Sequence, residues 1–403
     1  MTFAALAGLL CVIGLAQALV GAALVARFAA GAARKAGRSA QPSVTVLKPL
    51  HGDEPLLEQA LATLCVQDYP DYQVVFGVRD RADRALAAVR RVQARFPATD
   101  IAVVSNPTSH GANSKVGNLI NMLPAAKHDV LAIADSDLHV APDYLARLAD
   151  ALAEPGTGLV TTVYAGLPAT ARLAARLAAM QITHIFLPGA LLARATGRQD
   201  CLGATMVLRR DTLAGIGGFQ ALVDHLADDQ VLGRRVQALG LAVRLAHAVP
   251  ATTVPETTIM AAWRHELRWA RTIRALVPGA FAASILQYPL FWALLAIPLS
   301  LGAVWSCGLF LLAWVIRSGA ALRVDRALQP SLSAIPDDSA RGAAFACPVR
   351  LLPLRELMSV AVMLASYASR RVEWRGQVMT ADTPSRSPQV PVGPHPRTEP
   401  PPD

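Results

Sequence analysis

The sequence predicts an α/β domain with a mostly parallel sheet, placed between N-terminal and C-terminal membrane helices. Membrane segments are predicted because 53% of the 403 residues are hydrophobic and the mean hydropathy is +0.36, which is high for a soluble chain of this length. The α/β domain is predicted because short β-branched runs alternate, from about Ser43 to Val277, with stretches whose apolar residues recur at helical spacing.

The first apolar segment, Phe3–Val25, contains no charged residue and is long enough to cross a bilayer as a helix. It lacks the basic start of a signal peptide. Instead, Arg27, Arg34, Lys35 and Arg38 follow it. By the positive-inside rule, we expect the chain after Arg27 to be cytoplasmic and the N-terminus to be outside.

The middle of the chain alternates strand-like and helix-like stretches. The strand-like runs are SVTVLKPL, YQVVFGV, DIAVVS and DVLAIAD, and ADRALAAVRRVQARF is typical of the helices between them. This alternation predicts βαβ units and a mostly parallel sheet, in which ligands bind beyond the carboxyl ends of the strands. Asp80 and Asp135 each follow a strand-like run, so we expect both side chains in one crevice.

A second membrane portion begins at Ala280 and has no charged residue as far as Ile316. Its length allows two spans with kinks at Pro289 and Pro298, or a re-entrant piece followed by one span. Leu351–Ser369 is a further apolar stretch.

Arg355 and Glu356 lie near the start of this last stretch. They indicate a span with a snorkelling end or a helix lying in the interface. Arg370, Arg371 and Arg375 follow and are expected to be cytoplasmic. If this last stretch crosses the membrane after two spans in the segment from Ala280, the three arginines would lie outside, against the positive-inside rule. We therefore expect one of these segments to be re-entrant or interfacial.

These features divide the chain into four parts. They are an anchor with a basic juxtamembrane segment (residues 1–40), a cytoplasmic α/β domain (41–279), a membrane or interfacial region (280–379) and a tail (380–403). The tail is rich in Pro, Ser and Thr and is expected to be disordered.

The net charge of +9 is compatible with nucleic acid, anionic lipid or a phosphorylated small molecule as a partner. Nucleic acid is the least supported, because only 5% of residues are aromatic and no zinc-finger spacing occurs. The five cysteines form no CxxC pair. They predict neither a disulfide framework nor a zinc site, and they fit a reducing compartment.

Two carboxylates, Asp135 and Asp137, interrupt the apolar run VLAIADSDLHV. Residues i and i+2 of an extended chain point the same way, so both can face one ligand. Mg²⁺ and Mn²⁺ prefer oxygen ligands and are commonly held by one or two carboxylates plus substrate phosphates. The pair is therefore either a metal–diphosphate clamp or an ordinary polar strand end.

Two further pairs of polar residues are candidates for the same site. Asp228 and Asp229 precede a helix-like segment, and they either offset the helix dipole or include a general base for an attacking hydroxyl. Lys48 and Lys115 each follow a strand-like run. They are either surface lysines or cations that stabilise a diphosphate.

The segment Trp263–Arg274, WRHELRWARTIR, is rich in cations and comes just before the second membrane portion. One interpretation is a juxtamembrane helix that contacts anionic lipid. The other places His265, Arg268 and Trp269 against a diphosphate leaving group, where cations stabilise developing negative charge.

In combination, these motifs resemble the family 2-type, nucleotide-sugar-dependent glycosyltransferases. The motifs are VLKPLHGDEP, CVQDYPDYQVVFGVRD, NSKVGNLINM, IADSDLHV, CLGATMVLRRDTLAGIGGF, LADDQVLG and HELRWART. The resemblance is closer to the ceramide glucosyltransferase branch and closest to its bacterial relatives, the hopanoid-biosynthesis-associated glycosyltransferases. It extends from about Ser43 to Val378 and implies a GT-A-like fold.

The resemblance also implies roles for the acidic residues. Asp80 would contact the uracil of the nucleotide, and Asp135 its ribose side. Asp137 would hold the Mg²⁺ or Mn²⁺ ion on the diphosphate. Asp229 matches the family's base, and Asp228 lies beside it.

Arg268 and Trp269 match the Arg-Trp of the family's (Gln/Arg)-x-x-Arg-Trp motif, but His265 stands where Gln or Arg is usual. This departure argues against a processive polysaccharide synthase. His184 falls near a family histidine tied to the nucleotide site, but its surroundings match loosely, and it is interpreted as a packed histidine.

The resemblance implies a multi-pass inverting glycosyltransferase of the bacterial inner membrane with a cytoplasmic catalytic domain. We expect it to move N-acetylglucosamine from its UDP-sugar to a hydroxyl of a hopanoid polyol. The alternatives are ceramide glucosylation with UDP-glucose and a non-catalytic membrane-anchored scaffold. A polymer-extruding synthase would need more membrane spans to line a channel. A membrane transporter does not fit, because most of the chain has the sequence pattern of a soluble α/β domain.

Overall fold

Strands and helices alternate through the middle of the chain, and long helices flank them. The computed structural model describes residues 2–32, 36, 40–336, 346–369, 371–374 and 377–380. The strands are β1 (Val44–Pro49), β2 (Tyr72–Val78), β3 (Asp100–Ser105), β4 (Val130–Ala134), β5 (Leu138–His139), β6 (Thr157–Thr161), β7 (Ala165–Pro168), β8 (Thr205–Arg209), β9 (Ala242–Leu245), β10 (Ala251–Val254), β11 (Arg371–Trp374) and β12 (Gln377–Thr380).

The helices carry the chain between these strands and on either side of them. They are α1 (Thr2–Ala32), α2 (Leu57–Leu64), α3 (Ala85–Arg95), α4 (Ser114–Met122), α5 (Tyr144–Leu152), α6 (Leu173–Gln181), α7 (Leu187–Ala195), α8 (Arg210–Gly215), α9 (Asp228–Ala238), α10 (Ile259–Leu276), α11 (Pro278–Ala283), α12 (Pro289–Leu299), α13 (Val304–Ser333) and α14 (Leu352–Ser366). A π-helical turn, Ile182–Phe186, joins α6 to α7.

The central sheet has seven strands in the order β3-β2-β1-β4-β8-β6-β9. The strands β3, β2, β1 and β4 are parallel to their neighbours, whereas β8 runs antiparallel to β4 and β6. Continuous apolar runs form β2 and β4 because helices cover both faces of the sheet. The predicted α/β fold with a mostly parallel sheet is confirmed.

A smaller sheet, in the order β5-β10-β7, lies beside the carboxyl ends of the parallel strands of the large sheet. Its strand β5 starts only four residues after β4 ends. The segment between them contains Asp135 and Asp137. In the small sheet β10 pairs antiparallel with β5 and parallel with β7, so it brings a distant part of the chain next to these two aspartates.

Among the described residues, three helical stretches are long and apolar enough to cross a membrane: 2–31, 173–195 and 304–333. The protein is therefore membrane-associated. The first stretch was expected from the sequence. The third begins inside the apolar segment predicted for residues 280–316 and continues to Ser333. The second stretch was not expected, because Arg176 and Arg194 interrupt its apolar residues; 61% of its most apolar window is buried inside the protein.

The segment after Ala280 contains a sharp bend rather than two straight helices. Residues 278–287 and α12 meet at 69°, which makes them a broken span or a re-entrant loop. The break falls at Pro289, which has no N–H to continue a helix, whereas Pro298 lies inside α12. Helix α1 crosses this break at Gly14, where a Cβ atom would lie 2.4 Å from the carbonyl oxygen of Leu286.

Helix α14 is 15 residues long, which is shorter than the roughly 20 residues that a span needs. The expectation that its charged end snorkels is wrong, because Arg355 and Glu356 are both fully buried. Arg355 donates two hydrogen bonds to Glu266 of α10, at 2.7 and 2.6 Å. Glu356 accepts from Arg317 of α13 at 3.0 Å and from the backbone N–H of Leu290 at 2.7 Å.

All five cysteines are free. The predicted disorder of the tail falls outside the described residues from residue 381 onwards. The same holds for Arg34, Lys35, Arg38, Arg370 and Arg375, whose cytoplasmic position remains a prediction.

The pairing of Arg355 with Glu266 predicts a large loss of stability when one partner is removed. Replacing Arg355 by Met leaves a buried carboxylate without its partner, which costs about 3–5 kcal/mol. We expect Arg355→Met to lower the apparent Tm of the detergent-purified protein by several degrees, and Glu266→Gln in the same protein to restore part of the loss.

The matched control is Lys127→Met, which removes an ion pair with Asp100 whose side chains are 59% and 42% exposed. Exposed pairs contribute about 0–1 kcal/mol. Equal shifts of Tm in Arg355→Met and Lys127→Met would contradict the assignment.

Candidate active site

A cleft of about 1190 Å³ lies beyond the carboxyl ends of β1, β2 and β4. Because these strands are parallel neighbours, the residues that follow them meet at one edge of the sheet. The predicted site residues that line the cleft are Asp80, Lys115, Asp135, Asp137, Asp228, Asp229, His265, Arg268 and Trp269. The structure therefore brings together acids that are up to about 150 residues apart in the sequence.

Lys115 lies among these carboxylates. It follows the N-cap residue Asn113 of α4, whose side-chain oxygen accepts from the backbone N–H groups of Lys115 and Val116. Its ammonium nitrogen is 2.6 Å from Asp135 and 3.4 Å from the carbonyl oxygen of Gly203. Burial alone would lower the pKa of Lys115, but Asp135 and then Asp228 raise it above its usual value.

Asp137 is held from the opposite side by the small sheet. Its Oδ2 atom accepts a hydrogen bond from the Thr252 hydroxyl of β10 at 2.7 Å. Burial, and then the neighbouring charge of Asp135, raise the pKa of Asp137 to about 6.

Asp228 and Asp229 lie in the first turn of α9. This position agrees with the interpretation of the pair as an acidic N-terminal turn. Asp228 is buried and accepts from the side-chain amide of Asn113 at 3.3 Å. Asp229 accepts from the backbone N–H of Gln230 at 2.8 Å. It packs so tightly that a Cβ atom on Gly203 would lie 2.9 Å from its Oδ2 atom. Burial, and then Asp228, raise the pKa of Asp229 to about 7.

Lys48 is the one predicted site residue that does not line the cleft. It is fully buried in β1 and donates a hydrogen bond to the carbonyl oxygen of Leu138 at 3.2 Å. Burial lowers the pKa of Lys48 to about 8, although Asp137 and Asp135 oppose the shift. Lys48 therefore supports the Asp135–Asp137 loop from within the protein.

Asp80 lies at the outer edge of the cleft, where its side chain accepts from the backbone N–H of Ala82 at 2.8 Å. On the other side of the cleft, α10 presents His265, Arg268 and Trp269. The rings of His265 and Trp269 pack edge to face, with centroids 4.7 Å apart.

His184, by contrast, lies outside the cleft lining. It is buried and hydrogen-bonded to Asp325 of α13 at 2.7 Å. This contact agrees with the interpretation of His184 as a histidine packed inside the protein.

The carboxylates fit a divalent cation that arrives with a diphosphate. Among the described residues, no group of three or more His, Cys, Asp or Glu side chains is arranged to hold a metal without other ligands. Asp135 and Asp137 nevertheless offer oxygen atoms, and a Mg²⁺ or Mn²⁺ ion that shares phosphate ligands needs only one or two carboxylates.

Three residues at the site were not predicted from the sequence. Glu256 lines the cleft, is buried, and shares a short hydrogen bond with Nδ1 of His265. Thr252 and Asn113 bind Asp137 and Asp228. Only Asn113 carried a usable signal, because an Asn before a helical run is typical of an N-cap.

Comparison with known sequences relates the chain to one family. The sequence model of glycosyl transferase family 21 matches residues 6–386. The ceramide glucosyltransferase of Komagataella phaffii (strain GS115) is 32% identical over 113 residues, which are 27% of this chain and 22% of that protein. Ceramide glucosyltransferase 1 of Caenorhabditis elegans is 21% identical over 250 residues, which are 61% of this chain and 53% of that protein. The chain thus covers between 22% and 53% of the length of these curated relatives.

Solved structures show more distant similarity. A mannosyltransferase from Pyrobaculum calidifontis in complex with GDP-Man and Mn²⁺ has 20% sequence identity and a TM-score of 0.49, over 89% of this chain and 99% of that chain. TarS 1-349 of S. aureus in complex with UDP-GlcNAc has 16% identity and a TM-score of 0.38, over 84% of this chain and 96% of that chain.

The raised pKa of Asp229 predicts a pH-dependent effect of its removal. A carboxyl group that holds its proton more tightly in the folded state destabilises the fold as pH rises from its ordinary pKa of 3.8 through about 7. We therefore expect the Tm of Asp229→Asn, relative to that of the unmodified protein, to increase between pH 4 and pH 8.

The control for this experiment is Asp100→Asn, which makes the same chemical change on a partly exposed side chain. Its Tm difference from the unmodified protein is measured over the same pH range and serves as the reference. A pH-independent difference for Asp229→Asn would mean that Asp229 has no shifted pKa.

Proposed function

The chain belongs to glycosyl transferase family 21, and we propose that it transfers a sugar from a UDP-sugar to a hydroxyl of a membrane lipid, with inversion at the anomeric carbon. The observation that carries this proposal is the convergence of Asp137, Asp229 and Arg268 on one cleft beside helices that are apolar enough to enter a membrane. As part of this proposal, the α/β domain has the GT-A-like fold that the family resemblance implies.

Asp229 is the general base in this mechanism. It takes the proton of the lipid hydroxyl, whose oxygen attacks the anomeric carbon while the bond from that carbon to the diphosphate oxygen breaks. A carboxylate with a pKa of about 7 is well matched to proton transfer near neutral pH.

The negative charge that appears on the departing UDP is stabilised by cations of the cleft. Arg268 and Lys115 approach it from α10 and α4. Asp137, with Asp135 beside it, would hold a Mg²⁺ or Mn²⁺ ion, which when bound neutralises charge on the diphosphate. Asp80 is proposed to contact the uracil, and Asp135 the ribose side.

The membrane helices explain how a lipid reaches this site. Ala178, Ile182 and Phe186 line the cleft, and they belong to the apolar helical stretch 173–195. The cleft is therefore continuous with a segment that is able to enter the bilayer. A lipid head group can approach the sugar without leaving the interface. We place the protein in the bacterial inner membrane, with the cleft on the cytoplasmic side.

The proposed substrates are UDP-N-acetylglucosamine and a hopanoid polyol, as the sequence motifs indicate. Ceramide glucosylation with UDP-glucose is the second candidate, because the curated relatives in yeast and nematode are named ceramide glucosyltransferases. A non-catalytic scaffold is disfavoured by the acids that line the cleft together.

The role of Asp229 predicts a selective loss of activity. We expect Asp229→Asn to reduce the rate of sugar transfer by about 10²–10⁴-fold, because a general base contributes about that much. UDP affinity, measured by calorimetry, should stay within about twofold of the unmodified protein. Asp100→Asn is the control and should retain full activity; wild-type turnover in Asp229→Asn would remove the proposed base.

The identity of the acceptor is tested in membrane lipids. Mass spectrometry of lipid extracts from cells with and without this protein should show a hexosamine on a triterpenoid only when the protein is present. A hexosyl sphingoid lipid instead would establish the second candidate. No new glycolipid, together with no release of UDP by the purified protein in the presence of those extracts, would favour the scaffold.

A further inference from the structure

Helix α1 contacts the α/β domain as well as the other apolar helices. Near its N-terminus, Gly8 lies against the ring of Trp305 of α13. Near its C-terminus, Val25 and Phe28 are buried in one hydrophobic cluster with Ala251, the first residue of β10. The C-terminal end of this membrane helix is therefore part of the packing of the α/β domain.

The direct contact between α1 and the domain is His247, in the loop between β9 and β10. Its ring packs on that of Phe28, with centroids 4.9 Å apart, and its Nδ1 atom lies 3.3 Å from the carbonyl oxygen of Phe28. Gly31 lies against the same ring, and a Cβ atom at that position would be 2.6 Å from two ring atoms of His247. A side chain at position 31 therefore has to displace the ring of His247.

Strand β10 begins four residues after His247 and holds the loop that contains Asp137. The hydroxyl of Thr252 donates to Oδ2 of Asp137 at 2.7 Å. The backbone N–H of Thr253 donates to the carbonyl oxygen of Asp137 at 3.0 Å. Strand β10 also pairs with β5, which starts directly after Asp137. Both the side chain and the backbone of Asp137 are thus held by β10.

We propose that His247 is a positioning residue through which α1 holds β10, and with it Asp137, in the place that a metal-bound diphosphate requires. This inference rests on the proposed function, in which Asp137 holds the Mg²⁺ or Mn²⁺ ion. It makes α1 part of the metal site in addition to a membrane segment. An unrelated membrane helix would not replace α1, because the contact depends on Phe28 and Gly31.

Two alanine substitutions on α1 separate this role from membrane attachment. Gly31→Ala places a Cβ atom against His247, whereas Gly8→Ala places one at an ordinary contact distance of 3.5 Å from Trp305. We expect Gly31→Ala to weaken UDP binding in the presence of Mn²⁺ by about tenfold, as is typical when the support of a metal ligand is lost. Calorimetry on the detergent-purified protein should show unchanged UDP binding without Mn²⁺ in both variants, and Gly8→Ala should match the unmodified protein with Mn²⁺ as well.

The outcomes of this comparison separate the inference from the proposed function. Full Mn²⁺-dependent binding in Gly31→Ala would overturn the proposal. Equal weakening in Gly8→Ala would also overturn it, since the effect would not be specific to the contact with His247. If the unmodified protein binds UDP no better with Mn²⁺ than without it, the assignment of Asp137 to the metal fails, and this inference falls with it.

A double-mutant cycle tests whether α1 acts through His247. His247→Ala should reproduce the loss of Mn²⁺-dependent binding, as should Thr252→Val, which removes the hydrogen bond to Asp137. Gly31→Ala should then add less than about twofold in the His247→Ala background, because the ring that it displaces is gone. Losses that multiply would show that α1 reaches the site by another route, and would overturn the role of His247.

Hydrogen exchange tests the same contact without metal or substrate. The amide of Thr253 is bonded to Asp137, so its exchange reports whether β10 still holds that loop. We expect Gly31→Ala and His247→Ala to speed exchange in the peptide that contains β10, and Gly8→Ala to leave it unchanged. Faster exchange in β1 to β4 as well, together with a lower Tm, would show a general loss of stability and overturn the positioning role.

Discussion

The constraint on which the cleft depends is an excess of negative charge. Asp135, Asp137, Asp228 and Asp229 line the same cleft, and Lys115 pairs with Asp135 at 2.6 Å. Burial, and after it the neighbouring negative charge, raise the pKa values of Asp137 and Asp229. A cleft of this kind disfavours a free diphosphate, whose charge has the same sign. In the proposed function the diphosphate would bring a divalent cation, whose positive charge would offset that repulsion.

The apolar helices that follow the α/β domain hold α10, which lines one side of the cleft. Helix α10 carries His265, Arg268 and Trp269, and its Glu266 is bound by Arg355 of α14. A buried pair of this kind contributes orientation more than net stability. Asp135 and Asp137 follow a strand of the sheet, whereas Arg268 comes from α10. Their separation across the cleft is therefore set by contacts between the α/β domain and the apolar helices, which would link the proposed sugar transfer to membrane insertion.

Much of this arrangement was predictable from local sequence. The runs that form β1 to β4 placed Asp80 and Asp135 at one sheet edge, and the acidic start of α9 placed Asp229 at a helix N-terminus. Contacts between distant residues were not predictable. Glu256 is a single acid with no motif, and Arg355 meets Glu266 across 89 positions. The burial of Lys48 was also missed, because a lysine in an apolar strand gives no sign of which side it faces.

The central claim, that distant acids form one site for a metal-bound diphosphate, is tested most directly by UDP binding to the purified protein with and without Mn²⁺. The account predicts that Mn²⁺ tightens UDP binding by at least about tenfold, since it relieves repulsion between like charges. The gain should disappear in Asp137→Asn and persist in Asp100→Asn. UDP binding of equal strength with and without Mn²⁺, or a full gain in Asp137→Asn, would contradict it.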